Sequence, residues 1–251
     1  MNITVIYGQN HKGNTWAFTR LFLERLRDDD TRLSEFYLPE YSVEVQAGAA
    51  SGKHGSPPEK MLGFCRGCFN CITKGEKYCP QADFMQPIIT ALDNADLIIV
   101  SSPCYVMNMT GQLKTFFDHM AYRFMIHRPE PSVFRKQALA LSTAAGAGME
   151  KTVKAIYDNL FFWGIPRIYR YGLRMAARDF EHLPEKRRQK IIRKVNRITN
   201  KIKKNNGRVR PGLKTRLIFL FSRLGQKKND WSSSEKEYWI THGWLENKKP
   251  F

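Results

Sequence analysis

The sequence has 251 residues and a formal net charge of +18, from 41 Lys and Arg against 23 Asp and Glu. This length suits one large α/β domain, or one ordinary domain with an extension. No apolar run approaches the roughly 20 residues of a membrane span, and Met1 leads directly into a strand pattern without the basic flank and cleavage site of a signal peptide. We therefore expect a cytoplasmic protein, in which structural disulfides are disfavoured.

In residues 1–178, short runs rich in β-branched residues alternate with segments of helical periodicity. Strands are predicted at "NITVIYG", "RLSEFYLP", "DLIIVSS", "QALALST" and "RIYRYGLRM", and helices at "NTWAFTRLFLERLRDD", "FMQPIITALDNA", "TGQLKTFFDHMAYR" and "EKTVKAIYDNLFFWG". A Gly, Ser and Pro stretch, "AGAASGKHGSPP", interrupts the alternation. This pattern predicts an α/β fold, with a doubly wound sheet of five parallel strands and helices on both faces.

The positive charge is concentrated after this region. Residues 179–251 contain 20 of the Lys and Arg and 7 of the Asp and Glu, a formal +13, whereas residues 1–178 carry only +5. This shift in composition predicts a domain over residues 1–178 and a basic helical extension over residues 179–251.

The loop after the first strand, "GQNHKGNT", nearly matches the phosphate-binding loop of nucleoside triphosphatases. Asn14 stands where that pattern requires lysine. Without the lysine charge, such a loop suits one terminal phosphate, held by backbone N–H groups, hydroxyls and a helix N-terminus. Asn14 and Thr15 open the helix, and Gln9 and His11 can reach an anion. The alternative is an ordinary glycine turn with an Asn or Thr helix cap.

Two further loops follow strands whose carboxyl ends meet at the same edge of the predicted sheet, where ligands bind in this fold class. In residues 101–119, Pro103 sets a bend, and Tyr105, Met107 and Met109 place flat or polarizable groups in a loop. A planar heterocycle would explain them; core packing under a long loop is the alternative. The third loop, "STAAGAGME", has small residues that permit close backbone approach to a ring.

These segments, together with "CRGCFNC" and in this order, resemble the NAD(P)H-dependent FMN reductases of the flavodoxin-like fold, particularly the branch that includes iron-sulfur flavoproteins. The resemblance covers about residues 1 to 175, so residues 1–178 are interpreted as an FMN-binding domain. It implies that the FMN phosphate is held by Gln9, His11, Gly13, Asn14 and Thr15. It further implies that the isoalloxazine lies between two sets of residues: Pro103, Cys104, Tyr105, Met107 and Met109 on one side, and Thr143, Ala144, Ala145 and Gly146 on the other.

The resemblance implies an oxidoreductase in which NAD(P)H passes a hydride to FMN, and FMN passes electrons to a small acceptor such as a flavin or a quinone. The flavin supplies this chemistry, so no catalytic side chain is assigned. The alternative is an electron-transfer or redox-sensing protein that acts on a protein partner. A homodimer is expected. The family usually has Ser where Gln9 stands and often Arg near His11, so phosphate affinity is expected to be lower.

Four of the five cysteines lie in "CRGCFNCITKGEKYC", with the spacing C-x2-C-x2-C-x7-C before Pro80. Thiols so placed, at Cys65, Cys68, Cys71 and Cys79, are typical of ligands to a [4Fe-4S] cluster of ferredoxin type, although the last gap is long. Zinc sites more often have two separated pairs, and many members of the similar family have such a segment without metal. Cluster, zinc and free thiols all stay open, with free thiols favoured. Cys104 is interpreted as a packing residue of the flavin loop.

The basic extension contains two apolar stripes. In "PEKRRQKIIRKVNRITNKIKK", one helical stripe carries Ile191, Ile192, Val195, Ile198 and Ile202, and "LKTRLIFLFSRL" has a denser apolar face. Such stripes favour packing on the protein's own domain; contact with an anionic membrane surface or a protein partner is the alternative. No basic and aromatic motif for nucleic acid is present, so no nucleic-acid partner is expected. The final stretch should dock on the domain or on a twin subunit through its aromatic residues, which are Trp231, Tyr238, Trp239, Trp244 and Phe251.

Overall fold

The computed structural model describes residues 1–9, 11–38, 43–46 and 62–251, so the predicted Gly, Ser and Pro stretch at residues 47–58 and Asn10 of the first loop lie outside the described residues. The strands are β1 (Asn2–Tyr7), β2 (Arg32–Tyr37), β3 (Val43–Gln46), β4 (Leu97–Pro103), β5 (Gln137–Ala144) and β6 (Arg167–Arg174). The helices are α1 (Asn14–Leu26), α2 (Asn70–Thr73), α3 (Ala82–Asn94), α4 (Gly111–His119), α5 (Met149–Phe162), α6 (Glu185–Asn205), α7 (Leu213–Lys227) and α8 (Ser233–Thr241).

The six strands form one sheet in the order β3-β2-β1-β4-β5-β6. The pairings β2-β1, β1-β4, β4-β5 and β5-β6 are all parallel, which confirms the predicted sheet of five parallel strands. The short strand β3 adds an antiparallel edge next to β2 and was not predicted, because four residues are too few for a periodicity signal. The order of the five parallel strands reverses direction at β1 and β4, and the loops after these strands open at this switch point.

Both faces of the sheet are covered, and the alternation of side chains along β1 divides the core in two. Ile3, Val5 and Tyr7 face α1 and α6, whereas Ile6 faces the core formed with α3, α4 and α5. Every residue of β4 and β5 is buried. Central parallel strands that are covered on both faces have sequences in which almost every residue is apolar. These two strands were therefore recognisable in the sequence.

The C-terminal helices pack within the same chain. The predicted stripe of α6 places Ile191, Val195, Ile198 and Ile202 in the core beside α1, whereas Ile192 is only half-buried. On the other face, Trp239 and Trp244 enter the core with Phe219 of α7. The indole Nε1 of Trp239 donates to the carbonyl oxygen of His127 at 2.5 Å. A division of the chain at residue 178 stays a prediction.

The aromatic residues of the final stretch behave differently from one another. Trp239 and Trp244 are buried, and Tyr238 and Phe251 are half-buried, but Trp231 is largely exposed. Trp231 therefore does not dock on its own domain, and docking on a twin subunit stays a prediction for this residue. In the described part of the chain, every helix is too short or too polar to cross a membrane.

Candidate functional site

The loops after β1 and β4 are locked together at the switch point by Thr110. The hydroxyl of Thr110 donates to the carbonyl oxygen of Gly8 at 2.6 Å, and it also accepts from the backbone N–H of Leu113 as the N-cap of α4. The backbone N–H of Thr110 in turn donates to Ser102 Oγ at 3.1 Å. A side chain at Gly8 would bring its Cβ to 2.8 Å from the Thr110 hydroxyl. Neither Thr110 nor Ser102 was assigned a role from the sequence.

The loop after β5 meets the loop after β4 through a glycine. The backbone N–H of Cys104 donates to the carbonyl oxygen of Thr143 at 2.8 Å. Gly148 has a φ of +94°, and a Cβ there would lie 2.5 Å from Cys104 Sγ and 3.0 Å from Met107 Sδ. Only glycine fits this approach and this backbone conformation. The predicted second and third loops therefore form one surface.

The backbone of the second loop is strained where it faces outward. Val106 and Met107 have φ values of +48° and +65°, in a region that bulky or β-branched residues rarely adopt. Val106 is almost fully exposed, and Tyr105 and Met107 are about half exposed. Backbone strain of this kind clusters at ligand sites, where the surrounding structure enforces it. Exposed apolar groups on a strained, fixed loop provide a surface against which a flat ligand can pack.

Other residues predicted to flank the ring lie deeper or elsewhere. Met109 is buried in the core with α3, α4 and α5. Cys104 is half-buried behind the loop, and Pro103 is the last residue of β4. Ala144 is buried at the end of β5, whereas Ala145 and Gly146 are exposed beyond it. The exposed surface at this edge of the sheet is therefore formed by Tyr105 and Met107 and by the backbone at residues 145–148.

The predicted phosphate residues gather at the N-terminus of α1. Gly13 is the N-cap, and the first turn of α1 has no acidic residue, so the partial positive charge of the helix N-terminus is not neutralised locally. Thr15 Oγ1 lies 2.6 Å from Thr143 Oγ1, which joins the first loop to the third. The Asn14 side chain donates to the carbonyl oxygen of Arg178 at 2.9 Å, and its backbone N–H has no intrahelical acceptor because Asn14 is the first residue of α1. His11 is exposed at the rim.

Gln9 is the unusual member of this group. It is 3% exposed, and neither the oxygen nor the nitrogen of its side-chain amide has a hydrogen-bond partner among the residues that the structure describes. An unpartnered buried amide costs free energy of roughly 1–3 kcal/mol. Native proteins satisfy nearly all such groups, so the Gln9 amide is a candidate hydrogen-bonding group for a polar ligand of the first loop. The site thus fits an anionic group such as a phosphate.

The four cysteines of the second motif, Cys65, Cys68, Cys71 and Cys79, line one pocket. Its other walls include Phe64, Phe69, Pro80 and His119. His119 is the last residue of α4, the helix that Thr110 caps. Its ring contacts two sides of the pocket, because Nδ1 lies 3.5 Å from Cys79 Sγ and Nε2 lies 2.8 Å from the carbonyl oxygen of Gly63. Since α4 has 9 residues, its axis is about 13 Å long at 1.5 Å per residue. One short helix therefore connects the cysteine pocket to the switch point.

Burial and neighbouring thiols shape the chemistry of this pocket. Burial first, and then the thiols of Cys79, Cys65 and Cys68, raise the pKa of the Cys71 thiol to about 11. The Arg128 guanidinium, which donates to the Cys71 carbonyl oxygen and lies 3.5 Å from the Glu76 carboxylate, acts in the opposite direction on this pKa. All five cysteines are free. Within the described residues, no three His, Cys, Asp or Glu side chains are already arranged around one metal position.

In the metal-free protein, we expect iodoacetamide to alkylate the exposed Cys65 and Cys68 well before Cys71. Raising the Cys71 pKa from 9.0 to about 11 lowers its thiolate fraction near neutral pH by about 100-fold. The same shift should reduce fold stability as pH rises from about 9 to about 11, because the unfolded chain releases this proton there and the folded chain retains it. Timed alkylation with peptide mass spectrometry checks the first expectation, and equal rates at the three cysteines would contradict it.

Comparisons with known proteins agree with this geometry. The profile of the NADPH-dependent FMN reductase family matches residues 1–171. An iron-sulfur flavoprotein of Archaeoglobus fulgidus is 32% identical over 107 residues, which cover 42% of this chain and 46% of that protein. Another, from Methanocaldococcus jannaschii, is 33% identical over 125 residues, covering 49% and 58%. The chain thus spans about half the length of these relatives.

The fold recurs in solved structures. An azoreductase from Bacillus anthracis superposes with a TM-score of 0.53 and 12% identity, covering 82% of this chain and 99% of that one. At this identity the likeness concerns the fold alone. The family profile, in contrast, spans all three loops of the candidate site and more than half of the sequence. The chain therefore belongs to the NADPH-dependent FMN reductase family.

Proposed function

We propose that this protein is an oxidoreductase that binds FMN at the switch point of its sheet and passes reducing equivalents from NAD(P)H to a small acceptor such as a flavin or a quinone. The observation that carries the proposal is the buried Gln9 amide of the first loop, which has no hydrogen-bond partner in the described part of the chain. Family membership supports the choice of cofactor.

The residues around Gln9 fit the phosphate of FMN rather than a triphosphate. The backbone N–H groups of the first turn of α1 supply donors and a positive electrostatic potential. Asn14 replaces the lysine that a triphosphate site requires. Gln9 supplies two amide donors from one nitrogen, and its oxygen can accept from a ribityl hydroxyl. The Thr15 hydroxyl already contacts Thr143, so in this proposal it fixes the loop while its backbone faces the ligand.

The second and third loops fit the flavin ring. When bound, the isoalloxazine accepts a hydride from the nicotinamide and returns electrons to the acceptor. The protein contributes orientation. Tyr105 and Met107 provide an apolar surface, Gly148 holds that loop in place, and small residues after β5 allow the backbone to approach the ring edge. The half-exposed loop leaves an open face for the nicotinamide and, in turn, for the acceptor.

A [4Fe-4S] cluster is the second cofactor that we propose, with Cys65, Cys68, Cys71 and Cys79 as its ligands. Four free thiols share one pocket, in which burial and then the other three thiols raise the pKa of Cys71, and thiolates are the ligands that such clusters require. Two matched relatives carry the name iron-sulfur flavoprotein. A cluster would exchange single electrons, and α4 links this pocket to the FMN site. Metal binding must displace the thiol protons, so cluster assembly is expected to release protons.

Turnover measurements test the oxidoreductase. The full chain, reconstituted with FMN, should oxidise NADH or NADPH rapidly with free FMN, a quinone or ferricyanide as acceptor. Slow reduction that depends on a protein partner would instead support the electron-transfer or redox-sensing alternative. Iron and flavin assays on anaerobically purified protein test the cluster, for which we expect about four irons per chain. A homodimer and a cytoplasmic location stay predictions.

A further inference from the structure

Helix α7 carries mostly polar side chains on its buried face and large apolar side chains on its exposed face. Its buried side chains include Thr215, Ser222 and Gln226, and Phe219 is its one fully buried large apolar residue, with Ile218 half-buried against the core. Its exposed face carries the large apolar residues, each between 39% and 74% exposed: Leu213, Leu217, Leu220, Phe221 and Leu224. At 100° per residue these five side chains fall within an arc of about 100°, so they form one continuous stripe. We call this set the α7 stripe.

Hydrogen bonds fix the orientation of α7. The Gln226 amide donates to the carbonyl oxygen of Ile126 and accepts from Asn229 Nδ2 at 2.9 Å. Arg223 Nη2 donates to the carbonyl oxygen of Lys248 at 2.7 Å. Rotating the stripe into the core would break these bonds and expose Phe219. The helix therefore presents the α7 stripe to the outside as part of its stable packing.

The surroundings of the stripe are strongly cationic. Residues 206–229, which include α7, contain seven Lys and Arg and no Asp or Glu. By helical geometry, Lys214 flanks the stripe on one side and Arg216 and Lys227 on the other, and all three are exposed. Exposed Ile126 extends the apolar surface beside Gly225, where an added Cβ would lie 3.0 Å from Ile126 Cδ1. Exposed Trp231 follows shortly after the helix.

We propose that the α7 stripe docks this protein on an anionic lipid bilayer surface. A helix with an apolar face and a cationic border lies in the bilayer interface, with the apolar side chains among the acyl chains and the cations at the headgroups. The charge is complementary to acidic lipids. A second copy of the chain would oppose one cationic border with another, and nucleic acid would leave the leucines without an apolar partner. The proposal is independent of the FMN site.

Vesicle sedimentation tests the proposal with the full chain. We expect cosedimentation with phosphatidylcholine vesicles that contain about 30 mol% phosphatidylglycerol, weakening with salt, and little with phosphatidylcholine alone. The double variant Leu217→Ser, Phe221→Ser should lose binding by at least about tenfold. The matched variant Leu217→Met, Phe221→Leu keeps the stripe apolar and should retain binding. Circular dichroism should show that both variants are folded, because both positions are exposed.

Three results would overturn the membrane assignment. Binding that the serine variant retains would show that the cations act without the stripe. Binding to neither type of vesicle would reject a bilayer as the partner of the α7 stripe and would point to an acidic protein instead. A lipid-free dimer, seen by sedimentation velocity and lost in the serine variant, would identify a second copy instead.

Discussion

Gln9→Met is expected to weaken FMN binding by about tenfold or more, while leaving the FMN-free protein as stable as the wild type or more stable. The Gln9 amide is buried and has no hydrogen-bond partner among the described residues, so replacing it with an apolar side chain of similar length removes a burial cost of roughly 1–3 kcal/mol. We propose that the same amide forms hydrogen bonds with FMN, and Met cannot form them. A loss of about 1.4 kcal/mol of binding free energy corresponds to a tenfold weaker affinity.

Gln9→Met is expected to lower FMN affinity without lowering stability, so this variant distinguishes a cofactor contact from a structural role. Urea unfolding of FMN-free protein measures the stability, and quenching of flavin fluorescence during titration measures the affinity. Gln86→Met is the matched control, because Gln86 is exposed on α3 and should change neither quantity. Unchanged FMN affinity in Gln9→Met would show that the amide does not contact the cofactor. A loss of FMN-free stability would show that the amide has a structural role.

Gly148→Ala is expected to abolish most FMN binding and to lower the free energy of unfolding. The backbone at Gly148 has a φ of +94°, and the added Cβ would lie 2.5 Å from Cys104 Sγ and 3.1 Å from Met107 Cα. The methyl group must therefore displace the loop that forms the ring surface. The left-handed backbone alone costs about 1–2 kcal/mol for a residue with a side chain, and the displaced loop adds to this cost.

Gly111→Ala is the control for Gly148→Ala. Gly111 is the first residue of α4 next to the same site, yet its φ is not in the left-handed region, and no described atom beyond its own helix and chain neighbours lies within 4 Å of an added Cβ. Alanine there should leave FMN affinity unchanged and stabilise the helix slightly. If both alanine variants bound FMN equally well, the contact between the second and third loops would not form the ring site.

Much of the sheet was predictable because its strands carry strong local signals. The buried runs of β4 and β5 and the amphipathic period of α1 each specify an element without reference to the rest of the chain. The strand β3 was missed because it is short. The exposed position of Trp231 and the orientation of α7 were also missed, because a stripe of leucines indicates an apolar face but not which way that face points.

The candidate site was predictable in part. The alternation of strands and helices placed three loops at one sheet edge, since carboxyl ends of parallel strands meet there. The sequence could not show that Thr110 joins two loops, because its partner Gly8 is 102 residues away in the chain. It could not show that Gly148 lies against Cys104, because that contact depends on the positive φ of Gly148. Thr110 before a helix pattern does carry an N-cap signal. The burial of the Gln9 amide, with no hydrogen-bond partner among the described residues, is visible only in three dimensions.

FMN titration of the purified full chain tests the central claim most directly. We predict one FMN per chain, with an affinity that falls in Gln9→Met and Gly148→Ala and persists in Gln86→Met and Gly111→Ala. Flavin that does not bind, or that binds equally to all five proteins, would contradict the assignment of the switch point as the FMN site.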